Sequence, residues 1–196
     1  GTDQVWEYAT QYEIPKMIVI NGCDKENVNF DKVLAEVQRH FGSNVFPMTI
    51  PIDPGPGFRR LLDVLRCEEI DYKTDGSGKY TETAAEGESL DRVNELHSQL
   101  VEYVAEADDT LLERFFEEGN LSEEDLRSGI HKAIQDGLFV PVFATSALTD
   151  VGIARLMDMI SKYGSSPIDR KSVSVEDNGT KDATISLEDK DPACYI

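Results

Sequence analysis

The sequence has little cysteine and no long apolar run. Its 3 cysteines, Cys23, Cys67 and Cys194, form no C-x-x-C pair and have no histidine nearby at metal-ligand spacing. This pattern indicates neither a zinc site nor a disulfide framework, and it fits a reducing cytoplasm. Because no apolar stretch could cross a bilayer and no apolar leader is recognisable, we expect a cytoplasmic protein without membrane segments.

Positive charge is also scarce. Lys and Arg number 19 against 38 Asp and Glu, which gives a formal net charge of −19 at pH 7. An acidic surface repels phosphate backbones, so we expect no direct nucleic-acid binding and consider a basic protein surface the better partner. The hydrophobic fraction of 40% is ordinary for a globular protein, and 196 residues allow one full domain or two small ones.

The spacing of apolar residues predicts an α/β fold. Helical periodicity over 2–13 and 29–41 alternates with strand-like apolar runs at 16–21 and 45–52. Helices and strands that alternate with short loops are typical of a parallel sheet.

The order of elements changes after residue 52. Strand-like segments with a tight Asp-Gly turn precede three helices, and the strand and helix alternation resumes only at 138. We therefore predict an α+β subdomain inserted between two parallel strands. The predicted organisation is 1–52 and 138–163 for the parallel-sheet domain, 53–137 for the insert, 164–182 for a polar linker and 183–196 for the start of a β domain.

Two polar loops follow predicted strands and have the composition of a base-binding site. Asn21 and Asp24 have the spacing of an N-K-x-D motif with Gly22 in the lysine position, and Ser146-Ala147 follows the later strand. Ligands of such sheets bind beyond the carboxyl ends of the strands. One carboxylate can accept both the N1–H and the exocyclic amine of guanine, whereas adenine presents an acceptor at N1. These residue types are also common in turns and helix caps, so the pattern alone fits both interpretations.

Long stretches of the sequence follow one family in order. They include "GTDQVWEYATQYEIPKMIVINGCDKENVNFDKVL", "EEIDYKTDGSGKY" and "LVEYVAEADDTLLERFFEEGNLSEEDLRSGIHKAIQDGLFVPVFATSALTDVGIARLMDMI". These segments resemble the GTPase domain of translation elongation factor G, and "DPACYI" is similar to the first strand of its next, barrel domain. The resemblance implies an α/β fold, namely a partial P-loop GTPase sheet with an inserted α+β subdomain.

The resemblance also implies roles for the two loops. Asp24 would read guanine N1 and N2, Asn21 would brace the base-binding loop against the phosphate loop, and the backbone of 146–148 would meet guanine O6. Two positions depart from the family, because Gly22 replaces a lysine whose stem covers the base and Thr145 replaces a glycine. The implied nucleotide-binding residues are Asn21, Gly22, Cys23, Asp24, Ser146, Ala147 and Leu148.

The resembled family hydrolyses GTP to drive ribosomal translocation. Its phosphate loop, switch threonine and switch D-x-x-G do not occur ahead of the base-binding loops in this sequence. We therefore expect GTP or GDP, with Mg²⁺, to bind the parent protein through other residues, and we expect no catalysis and no nucleotide or metal binding by this chain alone. A stand-alone adaptor remains the alternative to a piece of a longer GTPase.

A strongly acidic stretch lies within the predicted insert. Residues 86–126 carry fourteen Asp or Glu against Arg92 and Arg114. Such a run is commonly only the solvated face of helices. In the resembled family the insert faces the stalk proteins of the large ribosomal subunit, which implies the ribosome and its stalk protein as partners. The alternative function is a non-catalytic interaction module that docks a basic ribosomal protein and has a degraded nucleotide pocket.

Overall fold

A computed structural model describes residues 1–166, 168–169, 172–177 and 180–186. The chain divides into two compact units, Gly1–Gly164 and Ser165–Ile196. In chain order the described elements are α1 (Thr2–Gln11), β1 (Ile18–Asn21), α2 (Phe30–Phe41), β2 (Val45–Pro47), β3 (Thr49–Ile52), β4 (Arg60–Asp63), β5 (Glu68–Tyr72), β6 (Tyr80–Ala84), α3 (Gly87–Glu106), α4 (Asp109–Glu118), α5 (Glu123–Gln135), β7 (Val140–Thr145), α6 (Ile153–Tyr163), β8 (Ser172–Asp177) and β9 (Thr180–Ser186).

A parallel sheet of order β1-β7-β2 positions the two base-binding loops. All six residues of β7 are buried, as expected for the central strand of a parallel sheet. Apolar side chains of α1 and α2, namely Trp6, Leu34, Val37 and Phe41, pack against the buried valines of β2 and β7. The predicted α/β class with a parallel sheet is therefore confirmed.

An antiparallel sheet of order β3-β4-β5-β6 lies between β2 and β7 in the sequence, together with α3, α4 and α5. The tight turn at 75–78 joins β5 to β6, with the Ser77 N–H donating to Asp75 Oδ1 at 2.9 Å. Asn29, Asp108 and Ser122 accept backbone N–H groups at the starts of α2, α4 and α5. These caps explain why the helices begin where the sequence pattern predicts.

The apolar run at 45–52 forms two strands where the sequence predicted one. β2 pairs with β7 in the parallel sheet, whereas β3 pairs with β4 in the antiparallel sheet. Met48 links the two sheets, because its N–H donates to Val142 O at 2.9 Å and its carbonyl accepts from Val64 N at 3.0 Å. The antiparallel sheet therefore begins at Thr49, ahead of the predicted start of the insert at Asp53.

The predicted linker at 164–182 contains regular structure. β8 lies within it and pairs antiparallel with β9, so this part of the chain is a two-stranded ladder. The predicted β segment at 183–196 overlaps β9 as far as Ser186, and 187–196 lie outside the described residues. Among the described helices none has the length and apolar character needed to span a membrane.

Candidate functional site

Asn21 is the last residue of β1, and it lies opposite Thr145 at the end of β7. Its Oδ1 accepts the backbone N–H of Ala147 at 2.9 Å and the hydroxyl of Thr145 at 3.3 Å. The resemblance predicted that Asn21 braces the base-binding loop, and here that loop is 146–148. Thr145, which departs from the glycine of the resembled family, supplies one of the two hydrogen bonds.

The backbone of Gly22 and Cys23 continues this connection. Both N–H groups donate to Thr145 O, at 2.9 and 3.1 Å. Gly22 has φ +90°, in the left-handed region where a side chain at this position is strained. A lysine at position 22 would therefore carry a backbone penalty in this loop, which gives a physical reason for the departure from N-K-x-D.

Cys23 is a packing residue of the loop. Its side chain is 1% exposed, and burial raises the pKa of the thiol above its ordinary value. The Cys23 carbonyl accepts the N–H of Gly55 at 2.8 Å, so the base-binding loop is also anchored to the segment that follows β3. A protonated, buried thiol fills space and offers no reactive group to a ligand.

Asp24 follows Cys23 and is only partly buried. Within the described part of the chain its carboxylate takes part in no hydrogen bond and no ion pair. A carboxylate fixed in a short loop without a partner is an acceptor available to a ligand.

The second loop differs from its prediction in one respect. The N–H of Ser146 donates to Val151 O at 2.9 Å, and the N–H of Ala147 donates to Asn21 Oδ1. The N–H of Leu148 has no partner among the described residues, and the Leu148 side chain is 87% exposed. Of the three predicted backbone donors, only that of Leu148 can reach a ligand without breaking an internal hydrogen bond.

The structure thus joins the two predicted loops through hydrogen bonds at one end of the sheet. Sequence reasoning missed Thr145 as a contributor and gave Lys25 no role, although Lys25 directly follows the motif. The N–H of Lys25 donates to Gly22 O at 3.1 Å and closes the turn that holds Asp24. The signal available in the sequence was the position of both residues next to motif residues.

The described residues contain no group of three or more His, Cys, Asp or Glu side chains that could hold a metal ion. His40 lies 2.7 Å from Asp3 on the surface, and Nδ1 of His97 lies 2.9 Å from Val64 O. Both contacts are structural. They join elements of the fold and lie outside the base-binding loops.

The acidic stretch forms an exposed surface on α3 and α4. We call Glu102, Glu106, Glu113 and Glu117 the acidic surface; all four are exposed, and none forms an ion pair within the described residues. Phe116 lies among them in sequence and is 77% exposed. A cluster of unpaired carboxylates beside an exposed aromatic ring can bind a basic protein partner.

Comparison with known proteins identifies the class. Residues 1–166 match the family model described as the elongation factor Tu GTP binding domain, so the chain belongs to this family of GTP-binding domains. It is also similar to the crystal structure of ttk003000868 from Thermus thermophilus, a translation elongation factor G, with a TM-score of 0.77 and 25% sequence identity. The match covers 87% of this chain and 25% of that one, so the chain spans about a quarter of its length. The chain is a GTP-binding domain of the translational GTPase class.

Proposed function

We propose that the loops 21–24 and 146–148 form the guanine subsite of an elongation-factor-G-like GTPase. One observation carries the proposal. The unpaired carboxylate of Asp24 follows β1, and the unpaired N–H of Leu148 belongs to the loop that Asn21 ties to the same strand end. An acceptor and a donor without internal partners are the two groups that a guanine edge requires.

The chemistry of guanine fits these two groups. Its N1–H and exocyclic amine lie side by side, so the two oxygens of Asp24 can accept both in charge-assisted hydrogen bonds. Its O6 is an acceptor, and the N–H of Leu148 is the donor in loop 146–148 with no internal partner. Adenine would set an acceptor and no donor against the carboxylate, which leaves the charge unpaired.

The remaining residues of the site position these two. Asn21 fixes the loop 146–148, Cys23 packs beneath the loop 21–24, and Gly22 provides the left-handed backbone that turns Asp24 away from the strand. Ser146 is buried, and its Oγ accepts the N–H of Thr149 at 3.3 Å, so the second loop is closed by its own hydrogen bonds. A preorganised subsite loses little entropy when the base binds.

The activity of the whole protein belongs to the same proposal. The matched structure extends well beyond the length of this chain, since only 25% of it is covered. We propose that the phosphates and Mg²⁺ are held by residues outside this sequence, and that GTP hydrolysis there drives ribosomal translocation in the cytoplasm. The residues described here would contribute recognition of the base and no step of the hydrolysis.

Base selectivity tests this proposal directly. In the full-length protein that contains this chain, GDP, inosine diphosphate and ADP would compete with a fluorescent GDP analogue. Inosine lacks the exocyclic amine, so we expect its diphosphate to bind about ten- to a hundredfold more weakly than GDP, and ADP about 10⁴-fold more weakly. Binding of ADP within about tenfold of GDP would contradict a carboxylate that reads guanine.

A second candidate function rests on the acidic surface. A translational GTPase domain implies contact with the ribosome, and the exposed, unpaired glutamates of α3 and α4 favour a basic partner over nucleic acid. The proposed partner is the stalk protein of the large ribosomal subunit. If the nucleotide pocket is degraded, the chain would serve only as this docking module, and the base-selectivity measurement separates the two functions.

A further inference from the structure

The side chain of Lys25 folds back over Gly22. A Cβ placed on Gly22 would lie 3.2 Å from Cε, 3.4 Å from Cδ and 3.7 Å from Cγ of Lys25. The lysine stem therefore runs through the space into which a side chain at position 22 would leave the backbone. The turn that closes with the Lys25 N–H on Gly22 O brings the two residues together.

The ammonium group of Lys25 makes no internal ion pair in the described part of the chain, although Asp24 is its direct neighbour. The residue is exposed, and a free lysine on a surface usually keeps its rotamer freedom in water. A stem that lies along a glycine presents a flat strip of methylene groups beside the carboxylate of Asp24. Such a strip, with a cation at its end, is a surface on which an aromatic ring can stack.

We infer that the stem of Lys25 forms one face of the guanine subsite and takes the place of the side chain that Gly22 lacks. This inference rests on the proposed function of the loops. Asp24 would read the edge of the base, and Lys25 would cover its face through apolar and cation–π contact. The loop would then need no lysine at position 22, where φ +90° disfavours any side chain and where the stem of Lys25 already lies.

The experiment compares Lys25→Ala with Lys25→Met in the full-length protein that contains this chain. The alanine removes the stem and should weaken GDP binding about tenfold, while methionine keeps much of the stem and should lose only about half of that free energy. Lys32→Ala is the matched control, because Lys32 is an exposed lysine on α2 that makes no side-chain contact among the described residues. It should leave GDP affinity unchanged.

The ratio of GDP to inosine diphosphate affinity separates a face contact from a loss of loop structure. Lys25→Ala should weaken both nucleotides equally and keep the ratio, whereas Asp24→Ala should bring the ratio close to one. If Asp24→Ala collapses the ratio but Lys25→Ala matches the Lys32→Ala control, the Lys25 inference is wrong and the guanine subsite stands.

Two other results are decisive. A collapse of the ratio in Lys25→Ala would mean that Lys25 acts through the fold of the loop, and the stacking role would be rejected. If Asp24→Ala changes neither affinity nor ratio, the guanine subsite itself is refuted and the inference about Lys25 is refuted with it.

Discussion

The side-chain oxygen of Asn21 lies 2.9 Å from the backbone nitrogen of Ala147, although 126 positions separate the two residues in the chain. The hydroxyl of Thr145 donates to the same oxygen at 3.3 Å. One amide side chain therefore holds the second base-binding loop against the end of the first strand. This contact supplements the parallel pairing of β1 with β7, which ends at Asn21 and Thr145.

Asn21→Ala should loosen the second loop. The loss of this acceptor should reduce the free energy of unfolding by about 1 kcal/mol and weaken GDP binding in the full-length protein by about tenfold. Urea denaturation of the chain and nucleotide competition measure the two effects. Asn94→Ala is the control, since Asn94 is exposed on α3 and makes no side-chain contact among the described residues. Equal behaviour of the two variants would refute the role of Asn21.

A buried ion pair fixes α6 to the antiparallel sheet. Arg155 Nε lies 2.5 Å from Asp63 Oδ2, with side chains 3% and 1% exposed, and Asp63 Oδ1 accepts the N–H groups of Leu65 and Arg66 at 3.0 Å. Arg155→Met would leave a buried carboxylate without its cation, so we expect the free energy of unfolding to fall by about 3–5 kcal/mol.

The control for this prediction is Arg92→Met. Arg92 pairs with Asp31 at the surface, where the side chains are 44% and 69% exposed, so its loss should cost about 0–1 kcal/mol. Both variants would be measured by urea denaturation. A small cost for Arg155→Met, similar to that of the control, would show that this ion pair does not hold α6 in place.

The start of α4 should make stability depend on pH. The hydrogen bond from Lys132 lowers the pKa of the Asp108 carboxyl, and the N–H groups of Leu111 and Thr110 act in the same direction. A depressed pKa adds stability above the unfolded value of about 3.9, and this stability disappears as the pH falls through the folded pKa.

Asp108→Asn keeps a capping oxygen but has no charge. The stability difference between the natural chain and this variant should therefore be largest near neutral pH and shrink from about pH 5 downward. Urea denaturation at a series of pH values measures it, with the exposed neighbour Asp109→Asn as control. A difference that stays constant across the series would contradict the assigned cause.

The acidic surface should bind a basic patch on the ribosomal stalk protein. Charge-driven association is fast, weak and strongest at low salt. Reversal of Glu102, Glu106, Glu113 and Glu117 to lysine should abolish it without changing the circular-dichroism spectrum, because all four side chains are exposed. NMR titration with the stalk protein measures the effect.

The control for the acidic surface makes the same change in net charge elsewhere. Glu7, Glu13, Glu26 and Glu36 are exposed residues outside α3 and α4, and their reversal to lysine should leave most of the binding intact. Equal loss in both variants would indicate a general effect of charge. Absence of shifts in 86–137 at low salt would leave only the solvated-face interpretation.

Much of the fold was predictable because periodicity and caps are local. Asn29 and Ser122 stand before amphipathic helices, and both cap them as predicted. The division of 45–52 was not predictable from its apolar pattern, since the change of partner at Met48 depends on strands far away in sequence. In the predicted linker, the polar composition outweighed the Asn178-Gly179 dipeptide, a common hairpin signal between β8 and β9.

The site was predictable to the same local extent. The spacing of Asn21 and Asp24 and their position after a strand are visible in the sequence. The partners of Asn21 and the free N–H of Leu148 depend on the register of β1 against β7, which no single stretch of sequence encodes. The path of Lys25 over Gly22 depends on the left-handed backbone of the turn, and the sequence records it only as a glycine.

The most direct test of the account is the base preference of Asp24→Asn in the full-length protein. Xanthine has a carbonyl where guanine has its exocyclic amine, so an asparagine can donate to that carbonyl and accept from N1–H. We predict that GDP binding falls by about a hundredfold and that xanthosine diphosphate binds more tightly than GDP, while the exposed control Asp91→Asn keeps the natural preference. If Asp24→Asn binds GDP as the natural protein does and still prefers it to xanthosine diphosphate, Asp24 does not read the base.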